Sequence, residues 1–443
     1  MPKGFVNYGP RESALFGAAV TVTGLAALKL TISSPAQWLI VLILLLGCAL
    51  LSPVRSSPAR ACYTLLSKQH RGHFLAFLMP WMLLCIAVAI SASLNEWLGW
   101  QALPKLVLLA AVLTLLLIVR PGEATVVVAL QSLAVIALSI LLVLWLADLQ
   151  GWLVFVPNRY GWSWAPPGVF WKAGIYLLPL ASWWIMSARY SATFRWGWLL
   201  VCCVIVGLDG SRTASLLALI IWAAVFGLGL GRFGFKRPLL RRGFLLAVVM
   251  VVSIGGINPS SLNPAYHVYG YIDAFFYGES GLAVQEQSAG TLPSGNERPI
   301  GRELAADSIR YAMLMDSLKA VVDHFPLGGG LGSTTTQTES MPEPMVVHMT
   351  YLQLLADVGV LGLLGYLGIF LVPLFYAMWS IRRAKDRWAC FDRQVLPLGI
   401  IGIYLFSGLL HPVSTEISEW LIVLIGLSML APEQLALSSS EEQ

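Results

Sequence analysis

The sequence predicts an all-α polytopic membrane protein of about twelve transmembrane helices, and three observations carry that reading. Apolar runs of roughly 17 residues or more, enough to cross about 30 Å of hydrocarbon as a helix, recur along the whole 443-residue chain. The chain is 57% apolar and 12% charged, with a mean hydropathy of +0.75; a soluble chain of this length has about a quarter of its residues charged. The basic residues sit in short segments between the apolar runs, as they do where Lys and Arg fix the orientation of membrane helices.

In chain order the predicted spans are 14–32, 36–52, 73–93, 104–120, 124–148, 171–188, 196–208, 213–231, 243–258, 350–379, 395–411 and 418–431. The first begins after Arg11 without a small-residue cleavage pattern, so it reads as a retained span rather than a signal peptide. Most of the 28 Lys and Arg residues, among them Arg55, Arg60, Arg71, Arg237, Arg241, Arg242, Arg382 and Arg383, fall on one set of loops. The sparser set is Lys105, Arg159, Lys172, Arg212, Arg298, Arg302, Arg310 and Lys319. That bias places both termini in the cytoplasm. The expected organisation is an N-terminal transmembrane region over 1–258 with about nine helices, a large periplasmic loop over 259–349, a C-terminal transmembrane region over 350–431 with about three helices, and a cytoplasmic tail over 432–443. A net charge of +5 and a pI near 8.9 are explained by this loop asymmetry, so no nucleic-acid partner is implied. The six cysteines fall in spans or on the cytoplasmic side, where no structural disulfide is expected.

The large loop opens with Pro-, Asn- and Gly-rich sequence and then becomes periodic. From Asp307, a plausible N-cap, Tyr311, Leu314, Met315, Leu318, Val321, Val322 and Phe325 follow helical spacing, while Asp316, Lys319 and Asp323 take another face. Such a helix lies on the outer membrane surface or over the bundle. HFPLGGGLG, residues 324–332, lacks the Lys-Ser/Thr ending of a phosphate-binding loop and reads as a turn closing that helix.

Candidate chemistry rests on few residues. Arg212, in the turn GLDGSRTASLL, either snorkels to lipid headgroups or forms an anion site, since a guanidinium forks onto phosphate oxygens and keeps its charge when partly buried. Asp209, in the same turn, is a secondary candidate for substrate binding. Arg310 stands at the rim of the amphipathic face, either as a solvated flank beside Asp307 or reaching toward a ligand. His348, just before the next apolar run, is an interfacial structural residue or a proton acceptor, for an imidazole is suited to proton transfer near neutral pH. Read as one continuous helix, HMTYLQLLADVGVLG puts Leu352, Leu355, Gly359 and Gly362 under His348, with glycines that let a neighbouring helix approach. Asp357 then lies about 180° round and roughly 13 Å deeper, as a buried residue with a polar partner. Arg159, among the aromatics of NRYGWSWAPP, belongs to an interfacial belt or contacts an anionic lipid head. His411, Glu416 and Glu419, in HPVSTEISEW, are weaker candidates.

The order of these signals resembles the O-antigen ligase and polymerase superfamily of bacterial envelopes. That family carries an arginine after a small residue at a helix start, then a second arginine ahead of a His-Pro, Leu, Gly-x-Gly turn. A histidine follows, leading into a Leu-rich helix with Gly-x-x-Gly. In this chain the pattern falls on Arg212, Arg310 and His348, with Gly359 and Gly362, through SIRYAMLMDSLKAVVDHFPLGGGLG and VHMTYLQLLADVGVLGLLG. It covers about residues 209–365; elsewhere the likeness is one of hydropathy alone. Phe325 interrupts the usual His-Pro, and WAPP stands where many members have an Asn-containing turn.

The resemblance implies a membrane-embedded glycosyltransferase of GT-C type in the bacterial inner membrane, with its active site on the periplasmic face. Its donor would be an undecaprenyl diphosphate-linked glycan, and its acceptor lipid A-core or a second lipid-linked unit. Arg212 and Arg310 would bind the diphosphate, His348 would serve as general base, and Arg159, Asp209 and His411 would be secondary substrate contacts. The absence of a DxD pair or a dense carboxylate cluster agrees with a reaction that uses neither metal nor cofactor. A lipid-linked oligosaccharide flippase is the competing class, but it would set charges along a central cavity rather than outside.

Overall fold

The computed structural model describes residues 14–20, 34–51, 68–95, 98–119, 121–150, 171–209, 212–257, 301–338, 341–347, 349–411, 413 and 417–430. Among the described residues before 301, a helical stretch over 14–20 is followed by α1 (Ser34–Leu51), α2 (Lys68–Asn95), α3 (Leu98–Val119), α4 (Glu123–Leu149), α5 (Trp171–Ile175), α6 (Leu178–Ser187), α7 (Ala192–Asp209), α8 (Arg212–Phe233) and α9 (Arg237–Ile257). After them come α10 (Gly301–His324), a hairpin of β1 (Thr335–Thr338) and β2 (Met341–Val346), then α11 (Thr350–Arg383), α12 (Arg387–Ser407) and α13 (Ile417–Leu430). Among the described residues, six helices are long and apolar enough to cross a membrane, and four shorter apolar helices accompany them. This is a multi-pass membrane protein.

The elements follow the apolar runs, with informative differences. The run read as one span over 171–188 is two helices, α5 and α6, because Pro179 at the start of α6 has no N–H to continue the first. The amphipathic helix starts at Gly301, so Asp307 lies within it and is not its N-cap. The hairpin was not foreseen. Its strands pair antiparallel, Thr335 with Val346 and Thr336 with Met345. Pro342 and Pro344 cannot donate to a further strand, which suits a sheet of only two.

The bundle is held where helices come closest. α11 packs antiparallel along α2, with Gly362, Gly365 and Gly368 facing Ala87, Leu84 and Pro80 in turn. A Cβ at Gly365 would stand 2.6 Å from the Leu84 amide nitrogen, so this approach of backbone to backbone is open only to glycine. At the opposite end from Thr350, Arg232 pairs with Asp392, which also accepts from the Trp183 indole at 2.9 Å. The Arg232 guanidinium lies over the rings of Phe233, Trp388 and Trp183, joining α8, α12 and α6. α12 opens with Asp386 as N-cap, accepting from the Ala389 amide at 2.9 Å.

Candidate functional site

The helix after His348 is not a single rod. At Gly359 the backbone takes φ +70°, ψ −169°, a conformation essentially reserved for glycine. The bend is large. Tyr351 and Tyr366 would stand more than 20 Å apart along a straight helix at about 1.5 Å per residue, yet their ring centroids are 6.4 Å apart. The expectation of a rigid continuous helix is therefore corrected: a short helix over 350–358 is folded against the head of a longer one over 360–383. Gly359 serves this bend rather than close helix packing, and the packing role falls to Gly362, Gly365 and Gly368.

The Gly-rich turn after α10 fills the break. In an unbroken helix the Val360 amide would bond to the Ala356 carbonyl. Here Val360 donates to Pro326 O at 2.9 Å, and Ala356 O accepts from Gly329 N at 2.7 Å. Asp357 O accepts from Gly330 N at 2.9 Å and from Ser91 Oγ of α2 at 2.7 Å. These three polar groups at the bend thus find partners in the turn or in α2, as buried backbone requires. Gly328, Gly330 and Gly332 all have positive φ, and a Cβ on Gly328 would lie 2.5 Å from Gly359 N. Turn and break are mutually glycine-dependent.

Asp357 locks the join. It is 1% exposed, and its Oδ1 accepts from Ser333 Oγ at 2.8 Å, with Thr334 Oγ1 at 3.5 Å. The amides of Gly332 and Thr334 also bond to the carboxyl group, and Gln353 Nε2 approaches Oδ2 at 3.5 Å. A carboxylate whose oxygens are occupied by the turn is an anchor, not a base, in keeping with the polar-pairing role the sequence gives it. Gln353 extends the chain of contacts, accepting from Val413 N at 2.9 Å through Oε1. Beside it Thr350 N donates to Gly408 O at 2.8 Å and His411 O at 2.9 Å, and Thr350 Oγ1 donates to His411 O at 2.8 Å. The segment after α12, the short helix and the Gly-rich turn therefore meet at one end of the bundle.

The other sequence candidates are placed by backbone alone or not at all. Arg212 opens α8 and Asp209 ends α7. Arg310 belongs to α10. The side chains of these three, together with His348 and Arg159, lie outside the described residues. Of the weaker trio, His411 is half-buried and meets α11 through its carbonyl, Glu416 is outside the described residues, and Glu419 is buried. Among the described residues no group of three or more His, Cys, Asp or Glu is arranged to hold a metal.

One polar contact that sequence reasoning missed joins α5 to α13 near the Thr350 end. Lys172 Nζ pairs with Glu419 Oε2 at 3.1 Å, with side chains 11% and 6% exposed, and Tyr176 donates to Glu419 Oε1 at 3.3 Å. Each charge was visible as a lone ion beside an apolar run, but nothing local links positions so distant in sequence. Removing one partner of a buried pair strands the other, so Lys172→Ala is expected to destabilise the fold by about 3–5 kcal/mol. Lys172→Met combined with Glu419→Leu should unfold closer to the parent in the same detergent melt; a double variant as unstable as the sum of its singles would contradict this pairing. Comparison of the chain with models of known protein families and with curated proteins finds no match.

Proposed function

We propose that the protein is an O-antigen ligase, transferring a glycan from undecaprenyl diphosphate to a sugar hydroxyl of lipid A-core on the periplasmic face without a metal. The observation that supports this best is the lock between the Gly-rich turn and the broken helix. It fastens the helix bearing Arg310 to the helix that begins two residues after His348, so two polar elements far apart in sequence share one end of the bundle.

In this reading the acceptor hydroxyl oxygen attacks the anomeric carbon of the donor, and the carbon–oxygen bond to the diphosphate breaks. His348 takes the hydroxyl proton as general base. Arg212 and Arg310 stabilise the negative charge that develops on the leaving diphosphate, with guanidinium groups where other transferases use a divalent cation. The products are the glycosylated acceptor and undecaprenyl diphosphate.

Purified protein in detergent or nanodiscs tests this when given an undecaprenyl diphosphate-linked glycan, chelator, and either lipid A-core or a second lipid-linked unit. Transfer to lipid A-core is the expected result. Elongation of the lipid-linked unit alone would make the protein a polymerase. Movement of the intact donor across a bilayer without any product would make it a flippase.

A further inference from the structure

The helix α10 shows three distinct sides. Met313 and Ser317 are buried against the bundle, at 2% and 0% exposure. Asp316, Lys319 and Asp323 are exposed on a second side. On the third, Met315, Leu318 and Val322 are 48%, 44% and 77% exposed, and the stripe continues past the helix end with Phe325 at 67% and Leu327 at 47%. At about 100° per residue the centre of this stripe lies roughly 150° from the buried pair. Of the apolar residues that give the sequence its helical signature, Met315, Leu318, Val322 and Phe325 therefore face away from the protein while Leu314 and Val321 are half-buried, and the helix docks on α11 through the Met313 and Ser317 side. A contiguous apolar strip of this size marks a surface that another apolar phase covers.

The level of the strip identifies that phase. From Val360 to Trp379 α11 rises about 30 Å at helical pitch, the thickness of a bilayer's hydrocarbon core. Trp379 lies beneath the Arg383 guanidinium at 4.1 Å, an aromatic and basic pair of the kind that anchors a helix at an interface. The hydrocarbon boundary on the Thr350 side then falls at Gly359, where Val360 N is bonded to Pro326 O. Phe325 and Leu327 flank that proline, so their exposed side chains stand at the boundary.

We propose that α10 and its Gly-rich turn form an interfacial membrane anchor, with Met315, Leu318, Val322, Phe325 and Leu327 seated among the acyl chains of the leaflet on the Thr350 side, and with the Asp357 lock fixing its depth. The acidic and basic side meets water and headgroups, as in helices that lie in the plane of a bilayer. One consequence rests on the transferase reading: the Arg310 position is held at the headgroup plane, where a lipid-linked diphosphate carries its charge, and the donor enters sideways from the leaflet.

The test uses the full chain in phosphatidylcholine nanodiscs, with an environment-sensitive fluorescent amino acid placed singly at 315, 322 or 325 and, for comparison, at 319 or 323. The expected result is quenching at 315, 322 and 325 by doxyl groups carried near the lipid glycerol, with protection from aqueous iodide, and the reverse at 319 and 323. Iodide quenching at 322 and 325 equal to that at 319 would overturn the proposal. So would protection from both quenchers, which would mean that protein covers the stripe. Because Val322 and Phe325 touch little of the fold, the double variant Val322→Asp with Phe325→Asp should remain folded and show faster amide exchange over 312–330 in nanodiscs; unchanged exchange would also count against the anchor. Asp357→Asn is expected to shift the 322 probe toward the iodide-accessible state. None of these readouts depends on glycan transfer, so a failed transfer assay and a failed anchor remain distinguishable.

Discussion

Alanine at position 359 is expected to cost the protein about 3 kcal/mol or more of stability. Two independent effects add at this residue. The φ of +70° with ψ of −169° is a backbone state that a Cβ strains by about 1–3 kcal/mol on its own. The Cβ would also meet the Pro326 carbonyl oxygen at 2.1 Å and the Leu327 carbonyl carbon at 2.6 Å. Both are backbone atoms of the turn that fills the break, so neither can swing aside as a flexible side chain would. Relief comes only by pushing the turn out, which breaks the bonds from Val360 N to Pro326 O and from Gly329 N to Ala356 O and leaves the carbonyl of fully buried Ala356 without that partner. The same substitution at Gly402 in α12 is the control: nothing lies within 4 Å of its Cβ, and a helical glycine replaced by alanine gains up to about 1 kcal/mol. Thermal unfolding in one detergent compares the two, and indistinguishable melts would refute the interlock.

The contrast between these two glycines shows what the sequence could and could not tell. The spans were legible because an apolar run of the right length has few alternatives in a bilayer: α8 and α11 begin and end within four residues of the runs that predict them, while α9 and α12 start six and eight residues earlier, in basic sequence that the apolar runs do not include. The amphipathic helix and the turn after it were legible from a period and from glycine content. Gly359 was not, since a glycine within an apolar run and followed by Gly362 has the spacing of a helix-packing face. Only the arrival of Pro326 and Leu327 from a different part of the chain shows that the backbone turns there. The side of α10 that packs was left open for a related reason: apolar residues seek the nearest apolar phase, and the sequence admits both the membrane surface and the bundle. Asp357 was legible in its general role as a buried residue with polar partners, while Ser333, Thr334 and the glycine amides became identifiable only once the turn was seen to wrap it.

Under the proposed transferase reading, the largest loss of activity comes from three positions whose roles separate by the kind of loss. His348→Ala removes a general base, worth about 10²–10⁴ in rate. A general base accepts a proton only in its neutral form, so the parent's turnover should rise with pH in one step and then level off, whereas the residual turnover of His348→Ala should lose that step. Arg212→Ala and Arg310→Ala remove charge stabilisation on the leaving diphosphate, a loss on the order of 10²–10³ each, and should leave the pH step in place. Lysine at either position keeps the charge but not the fork of donors, so Arg→Lys should recover part of the rate and not all of it. The lock runs through Gly359, Asp357 and the Gly-rich turn, and if the three residues act in transfer alone their alanine variants should melt close to the parent. A His348→Ala variant with full turnover and an unchanged pH profile would remove the base from this scheme. Loss of turnover together with a collapsed melt would instead assign His348 to holding the entry of α11.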